Sequence, residues 1–214
     1  MLAVSGPTTL QVPSVPGLDV PGGAATSLLV FVPGYRETLR INGNLRADGT
    51  LDVGEAFLHC AKAIIRSKLW AEAAPPVPPM VEGTAELSTP DVAAFLTAAP
   101  FVAVSSCDAG GEADVSPKGD PPGSLVMIVD DHTVAIADRP GNRRTDTMHN
   151  IVSNDAVGLL AFVPGSEFVV ELRGRGAITD DEAIREALAV NGKVPKAAIT
   201  ITVDHLEVRR EQAI

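Results

Sequence analysis

The sequence predicts a mainly β fold with a few short helices, and three observations predict it. Short apolar segments recur along the 214 residues, several of them alternating with polar positions. Gly, Pro, Asn and Asp punctuate these segments at turn-like spacing. Helical spacing is confined to short stretches. Apolar residues make up 45% of the chain, enough for a core, while aromatics are sparse at 4%, so Val, Leu, Ile and Ala must fill it.

Residues 1–25 carry Pro7, Pro13, Pro16 and Pro21 without a sustained period, which reads as an extended arm. Ser27 to Val32 reads as a short buried strand ended by Pro33-Gly34. Glu37 to Arg46 reads as a second, with Leu39 and Ile41 alternating against Arg40 and Asn42. Asp48-Gly49 marks a turn before Leu51-Asp52-Val53. Ala56 to Leu69 then changes to helical spacing, with Phe57, Ala61, Ile64, Ile65 and Leu69 on one face. Lys62 and Arg66 stand four apart on that helix and project from one side. They suit an anion or an electron-rich ring edge, although a helix surface with basic residues in its last turns is the commoner explanation of the pattern.

A Pro-rich linker, residues 74–87, separates the segment 26–73 from the main domain at 88–208. Ser88-Thr89-Pro90-Asp91 starts a helix that runs to about Ala98. Strands follow at Phe101–Ser106 and Glu112–Pro117, then a hairpin, Leu125–Val129 and Thr133–Ala137, turned by Asp130-Asp131-His132. A helix from about Arg143 to Val152 comes next, then strands at Ala156–Val163 and Glu167–Ile178. Thr179-Asp180-Asp181-Glu182 caps a further helix, stopped by Asn191-Gly192. The last strand is Ala197–Glu207, where Ile199, Ile201 and Val203 alternate with Thr200 and Thr202.

A formal charge of −10 argues against nucleic-acid binding, which needs a basic field to neutralise phosphates. Cys60 and Cys107 lie far apart without metal-ligand spacing, which predicts reduced cytosolic thiols and no metal site. No run of about 18 apolar residues and no secretory signal is visible, so the expectation is a soluble cytoplasmic protein with no membrane partner. Within this acidic chain, Val115 to Asn150 gathers Ser116, Lys118, Arg139, Arg143, Arg144 and Thr147 around the hairpin. Such cations and hydroxyls suggest a site for one anion, most naturally phosphate. A solvated turn with surface charges accounts for the same pattern.

The chain also repeats itself. Leu28-Leu29-Val30-Phe31-Val32-Pro33-Gly34 matches Leu159-Leu160-Ala161-Phe162-Val163-Pro164-Gly165 at a constant offset of 131 positions (159 − 28), and the register holds to Gly43 and Gly174.

With these residues in view, Ser116-Pro117-Lys118-Gly119-Asp120-Pro121-Pro122-Gly123, Asp138-Arg139-Pro140-Gly141-Asn142-Arg143 and Phe162-Val163-Pro164-Gly165 resemble the pyridoxamine 5′-phosphate oxidase-related, FMN-binding split-barrel flavoproteins. The resemblance is to the bacterial branch with SPRGDPPG and DRPGNNRLDT-type motifs, and it covers roughly residues 88 to 208. Glu37–Gly43 and Phe57–Trp70 resemble segments that members carry near their C-terminus, so the chain looks circularly permuted and partly duplicated. The resemblance implies a six-stranded antiparallel split β-barrel and a homodimer with FMN at its interface. By matching motifs, Ser116 and Lys118 would line the ribityl phosphate or ring edge. Asp138, Arg139, Asn142, Arg143, Arg144 and Thr147 would form the phosphate end. Lys62 and Arg66 would face the flavin ring.

The function so implied is an FMN-dependent oxidoreductase passing hydride between flavin N5 and a small-molecule substrate, with the protein supplying orientation and electrostatics. No residue is assigned as catalytic, since His59, His132, His149 and His205 are dispersed and form no triad or ligand cluster. The alternatives are a non-catalytic flavin-binding or degenerate scaffold protein, or a split barrel using F420 or haem. Glu171 stands in the second copy where the first has Arg40, a loss of one cation.

Overall fold

Alternation, turn chemistry and two proline-bearing boundaries place most of the elements. The computed structural model describes residues 2–13, 21–32, 34–70, 76–141 and 144–211. The elements before the linker are β1 (Ala3–Gly6), β2 (Thr9–Gln11), β3 (Ala24–Phe31), β4 (Thr38–Leu45), β5 (Thr50–His59) and α1 (Lys62–Ser67). After it come β6 (Gly83–Thr84), α2 (Pro90–Ala98), β7 (Phe101–Cys107), β8 (Ala113–Gly119), β9 (Val126–Asp130), β10 (Thr133–Ala137) and α3 (Asp146–Ser153). The chain continues with β11 (Ala156–Phe162), β12 (Phe168–Thr179), α4 (Glu182–Ala187) and β13 (Ala198–Arg210).

Among the described residues all the strand pairings are antiparallel, and they form two sheets. The N-terminal sheet has the order β1-β2-β5-β4-β3. The main sheet has the order β8-β7-β11-β12-β13-β10-β9, with β6 added on β13. The mainly β fold with few helices is therefore present. Seven long strands plus the two-residue β6 build the main sheet, where the resemblance implied six.

The main sheet wraps the larger core, in which Val104, Val134, Ile136, Leu159, Val170, Leu172 and Ile201 meet Phe95 and Leu96 of α2. Thr89 sits at the N-cap of α2 and Pro90 in its first turn, as the sequence predicted. Asp181 caps α4, its carboxylate accepting from the Ile184 N–H at 3.0 Å. A second core joins the two sheets: Phe31 stacks edge-on against Phe101 and Phe162, beside Ala63, Ile64 and Leu69.

Three expectations change. Residues 3–11 are paired strands rather than part of an extended arm, because the β1–β2 turn lets Leu10 pair with Leu51 and reach 9% exposure. Ala56 to His59 belongs to β5, paired with β4 out to Thr38–His59, so the helix is confined to Lys62–Ser67. The apolar positions between 56 and 59 also fit a strand, and the β4 edge decides between the periods. The linker is not wholly detached, since Met80 is buried in the main core and Glu82 accepts from the Arg210 backbone.

Candidate functional site

The cation-bearing segments converge on one cleft. β8 carries Ser116 and Lys118, the loop after β10 carries Asp138 and Arg139, and α1 lies across their ends. Gly119 makes that crossing possible: a Cβ there would run into the Ala63 carbonyl of α1. Arg66 then donates through Nε to the Gly119 carbonyl at 2.9 Å and through Nη1 to the Pro140 carbonyl at 3.3 Å. Lys62 donates to the Gly141 carbonyl at 3.4 Å. The helix is thereby clamped over the β8 end and the loop after β10.

The resulting cavity has a volume of about 410 Å³. His59, Cys60, Lys62 and Arg66 line it from the N-terminal side, and Ser116, Lys118, Asp138, Arg144 and Thr145 from the main domain. Lys118 keeps part of its surface on the cavity, yet its ammonium lies deep enough that burial pushes its pKa below the ordinary lysine value. Asp138 opposes that shift and Arg66 adds to it. Among the described residues no carboxylate lies within ion-pair distance of Lys118, so its amino group is left open to a ligand in the cavity. His59 is buried at 6% exposure, and desolvation, reinforced by Arg40, Arg144 and Lys118, lowers its pKa to about 4. It is neutral at physiological pH.

One wall is built on a carboxylate that sequence reasoning missed. Asp120 is fully buried, with Arg139 Nε at 2.6 Å from Oδ2 and Arg66 Nε at 3.1 Å from Oδ1. Arg139 also donates to the Leu188 carbonyl at 2.7 Å. Arg139 thus lines the cavity while two of its donors brace the wall. Its signal was the Gly119-Asp120-Pro121 order, where a buried acid within an arginine-rich motif needs a cation to offset its desolvation.

The opposite wall rests on Arg40. This guanidinium is 1% exposed; Nη2 donates to Asp146 Oδ2 at 2.6 Å and lies 3.1 Å from Asp114 Oδ1. Arg40 lies over the Phe57 ring at 4.4 Å from its centroid, and Arg144 at 3.5 Å. Burial alone would raise the Asp146 pKa, but hydrogen bonds and charge from Arg40 and Arg144 hold it below its usual range.

Of the residues singled out in the sequence, Ser116, Lys118, Asp138, Arg139, Arg144, Lys62 and Arg66 all line the cavity. Thr147 does not: it is buried in α3, and Thr145 lines the cleft in its place. Asn142 and Arg143 lie outside the described residues. His59, Cys60 and Thr145 join the lining without having been assigned to it.

Residues 88–210 match the family model described as pyridoxamine 5′-phosphate oxidase, more than half of the chain. The chain belongs to that family. No curated protein matches it in sequence. Among solved structures it is similar to HupZ of Group A Streptococcus, at 20% identity and TM-score 0.47, covering 56% of this chain and 98% of that one. It is similar to General Stress Protein 26 of Bacillus anthracis, at 15% identity and TM-score 0.42, covering 54% and 92%. The FAD binding protein of Mycobacterium smegmatis is similar at 17% identity and TM-score 0.41, covering 59% and 98%. Among the described residues no helix is long and apolar enough to cross a membrane.

Proposed function

We propose that the cavity binds FMN and that the protein is a flavin-dependent oxidoreductase acting on a small molecule. The observation that carries this reading is the convergence of Lys62, Arg66, Lys118 and Arg144 on one cleft in a chain of net charge −10. A cation cluster against that background suits a phosphate-bearing ligand. The cleft volume of about 410 Å³ falls within the range of roughly 300–1,000 Å³ usual for cofactor sites.

The residues present fit such a group. Lys118 and Arg144 supply positive charge for a phosphate or a ring carbonyl edge, and the Ser116 hydroxyl supplies a short donor on the same strand as Lys118. Lys62 and Arg66 close the cleft from α1. Neutral His59 adds no charge to the cleft at physiological pH. Bound flavin supplies hydride transfer; the chain's own residues bind it, orient it and set its electrostatic surroundings.

The test is a titration of purified protein with FMN, riboflavin and F420, followed by flavin fluorescence. FMN is expected to saturate at one per cavity, with riboflavin, which lacks the phosphate, at least tenfold weaker. Equal affinity for FMN and riboflavin would remove the phosphate site from the reading. Tighter binding of F420 would reassign the cofactor. Binding without substrate-dependent reoxidation of the reduced flavin would make the protein a flavin carrier.

A further inference from the structure

The two sheets are copies of one another well beyond the sequence repeat. Their orders match strand for strand, β1-β2-β5-β4-β3 against β9-β10-β13-β12-β11. The registers match as well. Val4 pairs with Leu10 as Ile128 pairs with Val134, and Thr9 with Asp52 as Thr133 with Thr202. Leu10 pairs with Leu51 as Val134 with Ile201, and Leu28 with Ile41 as Leu159 with Leu172.

Even the irregularity recurs. β4 slips its register against β5 between Asn42 and Gly43, and β12 slips against β13 between Arg173 and Gly174. At both glycines a Cβ would run into a neighbouring carbonyl, that of Asp52 or of Thr202. A bulge at one equivalent position in the five-stranded sheet and in the matching five strands of the main sheet is a shared design, not a coincidence of apolar runs.

The copies also face one another. Phe31 and Phe162 occupy equivalent positions in the repeat, and their rings touch, 5.7 Å apart at 89°. A residue that meets its own counterpart marks an isologous contact, the kind two identical subunits make about a twofold axis. Arg40 shows what the arrangement contributes and what it lacks. It reaches from β4 to Asp114 on β8 and Asp146 on α3. Its counterpart on β12 is Glu171, which pairs instead with Arg173 and Arg209. Among the described residues the N-terminal half holds no counterpart of β7, β8 or α3, so nothing there can receive Glu171.

We propose that residues 3–70 are a reduced second barrel, fused ahead of the complete one, that takes the place of a partner subunit and completes the cavity within a single chain. The N-terminal copy supplies His59, Cys60, Lys62 and Arg66 to the cavity, and the complete barrel supplies Ser116 and Lys118. Among the described residues the N-terminal copy carries no β8 of its own, so the fused pair forms one such cavity instead of two. Duplication accounts for the N-terminal half without a permutation, because its strands keep the order they have in the barrel. The proposal rests on strand register and packing, and it stands whether or not the ligand is flavin.

Asn42 and Asp114 provide the test, since Asn42 Nδ2 donates across the two sheets to Asp114 Oδ1 at 2.9 Å. Asn42→Cys with Asp114→Cys, in a chain carrying Cys60→Ser and Cys107→Ser, is treated at micromolar concentration with a short bis-maleimide. The product is read on a denaturing gel. The expected result is an internally bridged chain at single-chain mass. A bridged product of twice that mass would overturn the proposal, showing that the N-terminal copy closes the cavity of another chain. No bridge at all, with the β circular-dichroism spectrum intact, would overturn the contact itself. Sedimentation of the unmodified chain guards against a substitution effect: the expected species carries a cavity at single-chain mass, 22.2 kDa, and flavin binding that requires a dimer would contradict it. The gel needs no flavin, so its failure is separate from failure of the cofactor reading.

Discussion

Arg40 Nη2 and Asp146 Oδ2 lie 2.6 Å apart, joining the N-terminal sheet to the first turn of the helix that borders the cavity. Arg40 is almost fully buried and Asp146 about a third exposed, so the pair is partly shielded from water. The contact therefore ties the position of α3 to a sheet more than a hundred residues earlier in the chain.

Replacing Arg40 by Ala leaves Asp114 and Asp146 facing each other without their shared cation. Removing one partner of a buried pair costs about 3–5 kcal/mol, and the exposure of Asp146 places this case near the lower end. Urea unfolding is expected to show a loss of about 3 kcal/mol. A loss below about 1 kcal/mol would mean that the two sheets do not depend on this contact.

Asp120→Asn is expected to act on both stability and the ligand. The buried carboxylate is held by Arg66 and Arg139, and a neutral amide leaves both guanidiniums poorly matched. Flavin affinity should fall, because Arg66 then loses its anchor beside the cavity. A variant that unfolds earlier but binds FMN as before would separate the brace from the site.

His59 sets a pH dependence whose sign follows from burial. Its folded pKa of about 4 lies below the ordinary 6.5, so the unfolded chain binds the extra proton between those values. Stability from this group is full above pH 6.5 and declines as pH falls toward 4, by roughly 3 kcal/mol across the window. Below that range both states are protonated and the contribution stays flat. Urea unfolding at pH 7 and pH 4.5 for the parent and His59→Gln checks it: the difference between the two pH values should shrink in the variant.

The sequence made the main domain legible where the local signals agreed with the fold. The Asp130-Asp131-His132 turn, the Pro90 helix start and the Asp181 cap lie where turn and cap chemistry put them. Lys62 and Arg66 do share the cavity, although they sit on a helix of six residues rather than fourteen. That overestimate arose because Phe57, Ala61 and Ile64 suit a helical stripe and say nothing of the β4 edge that claims Phe57. The full repeat was hidden for a related reason. β2 and β10 share register while only Thr9 and Thr133 match in identity, since backbone pairing preserves geometry that side chains do not record. Asp120 and Arg40 were missed because the value of a buried charge depends on partners brought from distant segments.

Ionic strength should separate the cation cluster from the rest of the cleft. FMN affinity is expected to weaken between low and high salt, whereas riboflavin affinity should change little, because screening acts on the phosphate pairing. Parallel slopes for the two ligands would remove the cations from phosphate recognition.

The proposed function depends on Lys118 and its neighbours holding a phosphorylated flavin. The most direct measurement is FMN titration of the parent protein beside Lys118→Ala, with circular dichroism confirming that both are folded. Loss of a charged hydrogen bond costs about 1.5–3 kcal/mol, so the variant should bind FMN roughly 10- to 100-fold more weakly. A folded Lys118→Ala protein that binds FMN as tightly as the parent, or a parent that binds none, would contradict the account.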